Sequence, residues 1–401
     1  MPRPTVALAV SGSIAAYKAA EVARLLLKEG VRVLPIMTRS AHQFLGPTTL
    51  SGLCGEKVRE DMWDPGFSGE LHVALAREAS LVLLVPATAD LLARLAQGRA
   101  DDLVTALCLS STGPVMAAPA MHPNMWSHPA TQRNVAILAE QGRVELIGPV
   151  LGEVASGERG IGRMAEPAQI AAAALARMAP KDLARRRIVI TAGPTIEDLD
   201  PVRFLGNRST GKMGFALAER AFARGAEVTL IAGPVSLPTP FGVNRVDVRS
   251  ARSMRSALWE ALGPDLSGAD ALIMSAAVAD YRPKEEHATK TKRSAENLSL
   301  ELVPNPDLLA EIGAARKGRA PVLVGFAVET DTEEGIVAAA RSKLEKKRVD
   351  MVVANHAKDS FGKDDNRATL VTLEGIGALG VLDKREMSNR ILDRVKALLH
   401  P

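Results

Sequence analysis

The sequence predicts an α/β fold in which two parallel-sheet domains follow one another along the chain. Apolar runs of strand length alternate with stretches of helical periodicity, which is typical of parallel sheets covered by helices on both faces. This alternation stops at a short polar, basic stretch near the middle of the chain and then starts again. At roughly 100–200 residues per domain, the 401 residues suffice for two domains.

The first half contains apolar runs that we interpret as strands of one sheet. The runs cover residues 6–10, 31–37, 81–85, 115–118 and 144–147. Segment 15–28 has apolar residues at helical spacing, and the Ala-rich segment 165–178 predicts a closing helix. The first domain is therefore placed at residues 1–180.

The second half repeats this plan after a linker predicted at residues 181–186. Strands are expected at residues 188–190, 227–232, 245–248, 271–275, 322–326 and 350–354. A helix at 387–399 closes the second domain, which is placed at residues 187–401. Ligands of open parallel sheets bind beyond the carboxyl ends of the strands, so we expect the functional residues directly after each strand.

Composition and charge narrow the class of protein. Hydrophobic residues make up 47% and charged residues 24%, as in ordinary soluble proteins. Aromatic residues are scarce at 3% and the net charge is only +4, which favours small anionic ligands over nucleic acid. Cys54 and Cys108 form no disulfide or zinc pattern, no signal-peptide layout is present, and no apolar run approaches the ~20 residues of a membrane span. We therefore expect a cytoplasmic protein without nucleic-acid or membrane partners.

Small, hydroxyl-bearing and basic residues follow the strands of the first domain. They form the segments 11–16 (SGSIAA), 37–40 (MTRS), 86–90 (PATAD) and 119–122 (PAMH). Small residues let the backbone approach a ligand, and the N-terminus of a following helix favours a phosphate. The first turn lacks the GxGxxG pattern of dinucleotide sites, which argues against NAD.

Three of these segments resemble, in order and position, the flavin-containing cysteine decarboxylase family and most closely its phosphopantothenoylcysteine decarboxylase branch. They are 12–18 (GSIAAYK), 86–90 and 119–121, and segment 157–167 (GERGIGRMAEP) resembles the flap that covers the substrate in that branch. The resemblance spans about residues 5–170 and implies a Rossmann-like flavoprotein domain. It implies FMN binding by Gly12, Ser13, Ile14, Thr38, Pro86, Ala87, Thr88 and Met121. In that family FMN first oxidises the substrate thiol, which lets CO₂ leave, and the protein orients and protonates.

The resemblance also marks three candidate catalytic residues in the first domain. His72 matches the active-site histidine of the family, and an imidazole titrates near neutral pH as a general base requires; a helix-start histidine bonded to backbone is the alternative. His122 stands where the family usually has asparagine, with Asn124 close by, and Ser156 stands where it usually has a proton-donating cysteine. Either Ser156 donates slowly, another group such as His122 donates, or reduction is impaired. We favour His122, because both changes fall at one site.

A Gly-rich segment in the second domain looks at first like a P-loop. Segment 206–214 (GNRSTGKMG) has the GxxxxGK spacing, but Met213 stands where Ser or Thr would hold magnesium. Residues 198–204 are expected to form a loop where a P-loop has a strand. We therefore reject a Walker ATPase, although such a loop before a helix can still bind phosphates.

A longer series of motifs resembles phosphopantothenate–cysteine ligase from about residue 187 to 398. The motifs are 191–195 (TAGPT), 200–203 (DPVR), 207, 209–214 (STGKMG), 275–281 (SAAVADY), 305–309 (NPDLL), 324–327 (VGFA) and 353–355 (VAN). The resemblance implies a nucleotide-binding ligase domain of Rossmann-like plan. The order, flavin domain first and ligase second, is the order in which bacteria often fuse these two activities.

The ligase resemblance implies a two-step reaction and the residues that carry it. The carboxylate of 4′-phosphopantothenate attacks the α-phosphate of CTP, and the amine of L-cysteine then displaces CMP from the acyl-cytidylate. Cations are needed where charge builds on phosphoryl oxygens, and Lys343 and Lys347 share one face of a predicted helix. The implied catalytic residues are Arg203, Asn207 and Lys290. The implied CTP-binding residues are Met274, Ser275, Ala276, Asp280, Lys290, Pro306, Asp307, Leu308, Leu309, Phe326, Lys343 and Lys347, with Asp280 also a candidate for Mg²⁺.

Taken together, the two resemblances predict a bifunctional enzyme that makes 4′-phosphopantetheine. The substrates would be 4′-phosphopantothenate, L-cysteine and CTP, with FMN and Mg²⁺ as cofactors. One alternative is a ligase with a flavin-binding, decarboxylation-deficient first domain, and another is a flavin-binding regulatory protein with neither activity. The resemblance further implies a homo-oligomer, with flavin domains in trimers and ligase domains in dimers.

Overall fold

A computed structural model describes residues 3–292, 299–329, 333–356 and 365–399. The chain divides into two compact units, Met1–Ala179 and Pro180–Pro401. Both units are α/β, so the predicted fold class is confirmed. Within the described ranges, no helix combines the length and the apolar character needed to cross a membrane.

The first unit is built on a parallel sheet with the strand order β2-β1-β3-β4-β5. Its strands are β1 Thr5–Val10, β2 Arg32–Met37, β3 Leu81–Ala87, β4 Val115–Pro119 and β5 Val144–Leu146. Its helices are α1 Lys18–Lys28, α2 Pro47–Cys54, α3 Leu71–Glu78, α4 Ala89–Ala96, α5 Leu103–Ser110, α6 Pro123–Ser127, α7 Pro129–Gln141 and α8 Pro167–Met178. Each predicted strand of this half is present, with ends shifted by a few residues.

The central strand β1 shows why the apolar runs of this unit are continuous. All its residues are buried. Val6, Leu8 and Val10 face the apolar cluster that contains α1 and α8. Ala7 and Ala9 face a second cluster on the opposite side of the sheet, which contains α3 to α5. A strand covered on both faces has no solvent side, and its sequence therefore does not alternate.

An antiparallel hairpin lies after the sheet, formed by β6 Val150–Glu153 and β7 Arg159–Arg163. We call this hairpin and its turn the flap. It is held at the end of β4, because the Met121 N–H donates to the Gly162 carbonyl at 3.0 Å. A Cβ at Gly162 would lie 2.4 Å from the Met121 carbonyl oxygen. Only a glycine permits this close approach.

The second unit has a mixed sheet with the order β12-β11-β8-β13-β16-β17-β18-β19. The strands of this sheet are β8 Arg187–Ala192, β11 Glu227–Ala232, β12 Asn244–Asp247, β13 Ala271–Met274, β16 Val322–Glu329, β17 Met351–His356, β18 Asp365–Thr372 and β19 Ile376–Asp383. Two separate antiparallel strand pairs are formed by β9 Ile196–Asp198 with β10 Phe204–Gly206 and by β14 Tyr281–Pro283 with β15 Leu302–Pro304. Its helices are α9 Lys212–Ala223, α10 Ala251–Leu262, α11 Leu308–Ala315, α12 Glu333–Lys346 and α13 Lys384–Leu399.

Two features of this unit differ from the sequence-based expectation. The sheet is not wholly parallel, because β18 and β19 pair antiparallel at one edge. The residues of β19 are mostly exposed, and Gly377 and Gly380 interrupt its apolar residues, so the sequence analysis predicts no strand there. Residues 198–204, expected as a loop, contribute to a short hairpin in which Phe204 pairs with Asp198. Strands β9 and β10 have three residues each, which is too few to show the hydrophobic alternation that predicts a strand.

The stretch 181–186, predicted as a linker, lies in the second unit and is anchored there. Leu183 is buried in the apolar core of that unit. The Asp182 carboxylate accepts hydrogen bonds from Arg224 at 2.7 Å and from Lys396 at 3.0 Å. A hydrophobic residue and an acidic residue within a basic stretch therefore dock it against α9 and α13.

Candidate active sites

The strand ends of the first unit are fixed by hydroxyl groups and by one close backbone approach. Ser13 accepts a hydrogen bond from the Ala15 N–H at 3.3 Å and so caps the short 3₁₀ helix Ile14–Tyr17. Thr88 caps α4 by accepting from the Leu91 N–H at 3.2 Å. Next to Ser13, a Cβ at Gly12 would lie 2.6 Å from the side chain of Ser40. The turns after β1, β2 and β3 therefore pack closely and leave backbone donors at their helix starts.

A cavity of about 750 Å³ opens between the turn after β1, the end of β4 and the flap. This volume lies in the range of small-molecule and cofactor sites. Ser13, Ile14, Met121, His122 and Ser156 all line it. It combines a capped helix start, suited to a phosphate, with apolar side chains suited to an aromatic ring. The cavity thus fits a flavin mononucleotide by volume and by chemistry.

Three polar side chains meet at the mouth of this cavity. His122 Nε2 and Ser156 Oγ both hydrogen-bond to the Glu158 carboxylate, the serine at 3.3 Å. His122 Nδ1 accepts the Asn124 N–H at 3.2 Å, which caps α6. A neutral imidazole that accepts at Nδ1 carries its proton on Nε2, so His122 donates to Glu158. Glu158 belongs to the flap motif, but the sequence predicts no role for it, because its contact with His122 joins residues 36 positions apart.

Other residues predicted for this site lie outside the cavity lining. His72 is in the first turn of α3, and its Nδ1 is buried without a hydrogen-bond partner among the described residues. Thr38 lines a separate cavity of about 580 Å³, together with Trp63. Pro86 and Ala87 end β3, where the Pro86 carbonyl accepts from Ser11 Oγ at 2.7 Å. The structure therefore brings His122 and Ser156 together but does not place His72 beside them.

Buried threonine hydroxyls organise the strand ends of the second unit. Thr191 lies at the end of β8, and its hydroxyl oxygen accepts a hydrogen bond from the Ala276 N–H at 3.2 Å. The Thr191 carbonyl accepts from Ser275 Oγ at 2.6 Å. Thr195 accepts the Ala279 N–H at 2.9 Å. The loop after β13 is thereby fixed to the loop after β8, and sequence reasoning gave these threonines no role.

These loops border a cavity of about 190 Å³, which is lined by most of the residues predicted to bind CTP. Of the predicted set, Ser275 and Lys290 do not line it. Val278, Ala279 and Asn305 line it and were not predicted. The predicted lining residues are Met274, Ala276, Asp280, Pro306, Asp307, Leu308, Leu309, Phe326, Lys343 and Lys347.

Two lysines bring positive charge to this cavity. Lys343 Nζ donates to the Phe326 carbonyl at 2.5 Å. Lys347 Nζ pairs with the Asp307 carboxylate at 2.7 Å. Burial alone raises the pKa of Asp307, but hydrogen bonds from Lys347 and the Ala310 N–H outweigh it and lower the pKa. Asp307 is therefore ionised at neutral pH and caps α11.

Arg203, Asn207 and Lys290 are joined to this site through the backbone. Asn207 Nδ2 donates to the Val278 carbonyl at 2.9 Å, in the loop that lines the cavity. The Arg203 guanidinium donates to the Thr291 carbonyl at 2.9 Å, directly after Lys290. The three predicted catalytic residues thus lie on segments that contact one another or the cavity.

The described residues contain no group of three or more His, Cys, Asp or Glu side chains arranged to hold a metal ion. Asp280 and Asp307 do line the same cavity. Mg²⁺ in nucleotide sites is commonly held by one or two carboxylates together with the phosphates of the substrate. Asp280 remains a candidate on that basis.

The sequence matches two protein families end to end. The family described as "Flavoprotein" matches residues 1–179, and the family described as "DNA/pantothenate metabolism flavoprotein C-terminal domain" matches residues 183–399. The coenzyme A biosynthesis bifunctional protein CoaBC of Vibrio cholerae is 44% identical, with 96% of each chain covered. The protein of that name from Escherichia coli K12 is 41% identical over 97% of this chain and 96% of its own. Among solved structures, the FMN binding protein AtHal3 is 32% identical with a TM-score of 0.39, covering 43% of this chain and 95% of its own.

Proposed function

We propose roles for residues in two activities, on the premise that the chain belongs to the family of bifunctional coenzyme A biosynthesis proteins. The chain is therefore a phosphopantothenate–cysteine ligase and a phosphopantothenoylcysteine decarboxylase in one polypeptide. It joins cysteine to 4′-phosphopantothenate through an acyl-cytidylate and decarboxylates the product to 4′-phosphopantetheine. The ligase-only alternative finds no support, because the family match covers the flavoprotein half as fully as the ligase half.

In the second unit, the cavity beside β13 and α11 is the proposed CTP site. Ala276 and Phe326 would contact the cytosine base, and Lys343 and Lys347 the triphosphate. The carboxylate of 4′-phosphopantothenate attacks the α-phosphate, the bond to the β-phosphate breaks, and pyrophosphate leaves. Ammonium groups placed where this charge develops stabilise the transition state more than the ground state.

Arg203, Asn207 and Lys290 would act on the acyl-cytidylate itself. The cysteine amine attacks the acyl carbon, CMP leaves with its bonding electrons, and the amine loses a proton to complete the amide. The backbone contacts of Asn207 and Arg203 direct both side chains toward the segment that follows β13 and the one that carries Lys290. Asp280, exposed at the cavity, is the proposed protein ligand of Mg²⁺.

In the first unit, the cavity under the flap is the proposed FMN site. Ser13 and the N-terminus of the 3₁₀ helix Ile14–Tyr17 would hold the phosphate, and Ile14 and Met121 would contact the ring. Gly12, Thr38, Pro86, Ala87 and Thr88 would shape the adjoining strand ends. Bound FMN supplies the electron exchange that makes loss of CO₂ possible. The residues of the chain have to orient the substrate and move protons.

His122 is the proposed proton donor for the last step of decarboxylation. Its proton lies on Nε2, which faces Glu158 at the cavity mouth. Ser156 shares the same carboxylate but is a much weaker acid than a thiol or an imidazolium. The Glu158 carboxylate accepts from His122 Nε2 and from Ser156 Oγ and so holds both side chains at the cavity mouth, where they can take the place of the cysteine usual in the family.

His72 is proposed as the general base, and its position bears on assembly. It lies outside the lining of the cavity in a single copy, and its buried Nδ1 has no partner among the described residues. A site completed by a second copy would explain this. We accordingly propose a homo-oligomer with trimeric flavin domains and dimeric ligase domains, acting in the cytoplasm.

The observation that carries this proposal is the cavity of the second unit, in which most of the predicted CTP residues converge. The test is mass spectrometry of the products formed by purified protein from 4′-phosphopantothenate, cysteine, CTP and Mg²⁺. We expect 4′-phosphopantetheine. Accumulation of 4′-phosphopantothenoylcysteine would show that the first unit does not decarboxylate. Accumulation of an oxidised decarboxylated species would show that His122 does not deliver the proton.

A further inference from the structure

A buried carboxylate in the second unit connects two segments that carry catalytic candidates. Asp200 is only 2% exposed. Its Oδ1 accepts the N–H groups of Val202 at 2.8 Å and Arg203 at 2.9 Å. Its Oδ2 accepts the N–H of Thr291 at 3.2 Å. One oxygen thus holds its own turn, and the other holds a segment 91 positions away in the sequence.

Further contacts join the same two segments. The Arg203 guanidinium donates to the Thr291 carbonyl at 2.9 Å, so both backbone polar groups of Thr291 are held. The His287 N–H donates to the Leu199 carbonyl at 3.0 Å. Thr291 is therefore fixed by its backbone rather than by its own side chain, which fixes the direction of the chain at the neighbouring Lys290.

The negative charge of the Asp200 carboxylate strengthens its hydrogen bonds to these N–H groups. Burial raises the pKa of Asp200, but the backbone hydrogen bonds and the nearby Arg203 guanidinium outweigh it and lower the pKa. A buried carboxylate held by several N–H donors keeps its charge, and losing one partner is costly because the group cannot turn to water. Asp200 neither lines the CTP cavity nor is exposed toward it, and the ligase role assigned above does not use it.

We propose that Asp200 is a positioning residue for the ligase reaction, which sets Lys290 relative to Arg203 and Asn207 by holding the backbone of Thr291. This inference rests on the proposed role of Lys290. Lys290 and Asn207 are exposed, and Asn207 Nδ2 bonds to the Val278 carbonyl rather than to the segment that carries Lys290, so this bond does not fix the pair. The carboxylate of Asp200 supplies that fixation.

The substitution Asp200→Asn separates the two functions of the carboxylate. The amide oxygen of asparagine can still accept from Val202 and Arg203, so the turn is kept. The amide nitrogen would face the Thr291 N–H, and two donors cannot bond. We expect kcat for conversion of the acyl-cytidylate to the cysteine amide to fall about 10- to 100-fold, as small displacements of catalytic groups do. The KM for CTP should change little, because Asp200 does not line that cavity.

A double-mutant cycle with Lys290→Gln tests whether Asp200 acts through Lys290. If it does, adding Asp200→Asn to Lys290→Gln should cost less than about threefold more. If Lys290→Gln alone leaves the rate unchanged, the proposed role of Lys290 fails. If Lys290→Gln slows the reaction but the two effects multiply, or Asp200→Asn has no effect, the positioning role fails.

Hydrogen exchange of the same variants gives a readout independent of activity. Asp200→Asn should speed exchange in the segment 284–292 and leave α9 unchanged. The matched control is Asp198→Asn, because Asp198 lies on the same hairpin as Asp200. This change breaks the surface ion pair of Asp198 with Arg249 but leaves the hydrogen bonds to Thr291 intact. Equal effects of the two variants on 284–292, or faster exchange throughout the unit, would show a merely structural role.

Discussion

At the residue scale, the CTP cavity holds its cations in place before nucleotide arrives. Lys347 pairs with Asp307, and Lys343 donates to the Phe326 carbonyl. Long lysine side chains lose rotamer freedom on binding, and a partner that already orders them reduces that cost. The triphosphate then replaces these partners rather than recruiting mobile side chains.

Replacement of Lys347 by glutamine should therefore weaken CTP binding selectively. We expect the KM for CTP to rise about tenfold, because a charge-assisted hydrogen bond is lost. Steady-state kinetics of the ligase reaction measures it. The neighbouring Lys346, exposed and outside the cavity lining in the described structure, provides the control K346Q, which should leave the KM unchanged. Equal shifts for both variants would indicate only a general charge effect.

The flap offers a second residue-scale prediction. Glu158→Gln keeps the size of the side chain but removes the carboxylate that accepts the hydrogen bond from His122 Nε2. The ratio of oxidised decarboxylated species to 4′-phosphopantetheine should rise by about tenfold, a modest part of the usual effect of a general acid. Mass spectrometry of the products gives the ratio. Arg159→Gln, at the next flap position and outside the cavity lining, should not change it.

Sequence reasoning found the residues at strand ends but not the partners that hold them. Residues such as Ala276 and Phe326 lie in contiguous motifs, so a short pattern identifies them. The contacts of Glu158 with His122 and of Asp200 with Thr291 join residues far apart in sequence. No local pattern encodes such pairs, because folding alone brings them together.

At the scale of elements, α9 packs unusually close to the sheet of the second unit. A Cβ at Gly214 would lie 2.5 Å from the Ala192 side chain and 2.6 Å from Ser275 Oγ. These atoms end β8 and follow β13, where the proposed site begins. The glycine therefore sets how near the N-terminus of α9 comes to the strand ends.

Gly214→Ala should move α9 away from the sheet and destabilise the second unit by about 1–3 kcal/mol, as overpacking does. Hydrogen exchange of the full chain in urea follows each unit separately, and α9 should open earlier while α1 does not change. Gly377→Ala is the control, since a Cβ there meets nothing within 4 Å. An unchanged α9 would show that the helix can shift at no cost.

Most elements with a buried face are predictable from the sequence, and the mostly exposed elements are not. Strand β1 is buried along its length and reads as a continuous apolar run. Strand β19 is mostly exposed at the sheet edge, and Gly377 and Gly380 interrupt its apolar residues. Hydrophobic periodicity reports burial rather than hydrogen bonding, which explains why β19 and the flap are not predicted as strands. Strand β18 is missed although Ala368, Leu370 and Val371 are buried, because its first residues are polar and its apolar run is short.

At the scale of the whole molecule, each unit contains its own pair of apolar clusters, one on each face of its sheet. The stretch 181–186 is stabilised by contacts with the second unit. Hydrogen bonds from Arg224 and Lys396 lower the pKa of Asp182 from 3.8 to about 2. A depressed carboxyl pKa stabilises the folded state above the unfolded pKa and ceases to do so as pH falls through the folded pKa.

The second unit should therefore lose up to about 2 kcal/mol of stability from this group as the pH falls from about 4 to about 2. Asp182→Asn should lower its stability at neutral pH, and the difference from the parent protein should disappear near pH 2. Urea unfolding followed by hydrogen exchange across this pH range measures it. Asp247→Asn, which breaks an exposed pair with Arg245, should have little effect at any pH. A difference that persists in acid would rule out the ion pairs as its cause.

Separate cores also have a consequence for inheritance. A substitution that disables one unit need not unfold the other, since no apolar cluster of one unit includes residues of the other among those described. The ligase product is a small diffusible molecule. Two alleles of one gene, one defective in each unit, should therefore restore growth when carried together in a cell that neither allele supports alone.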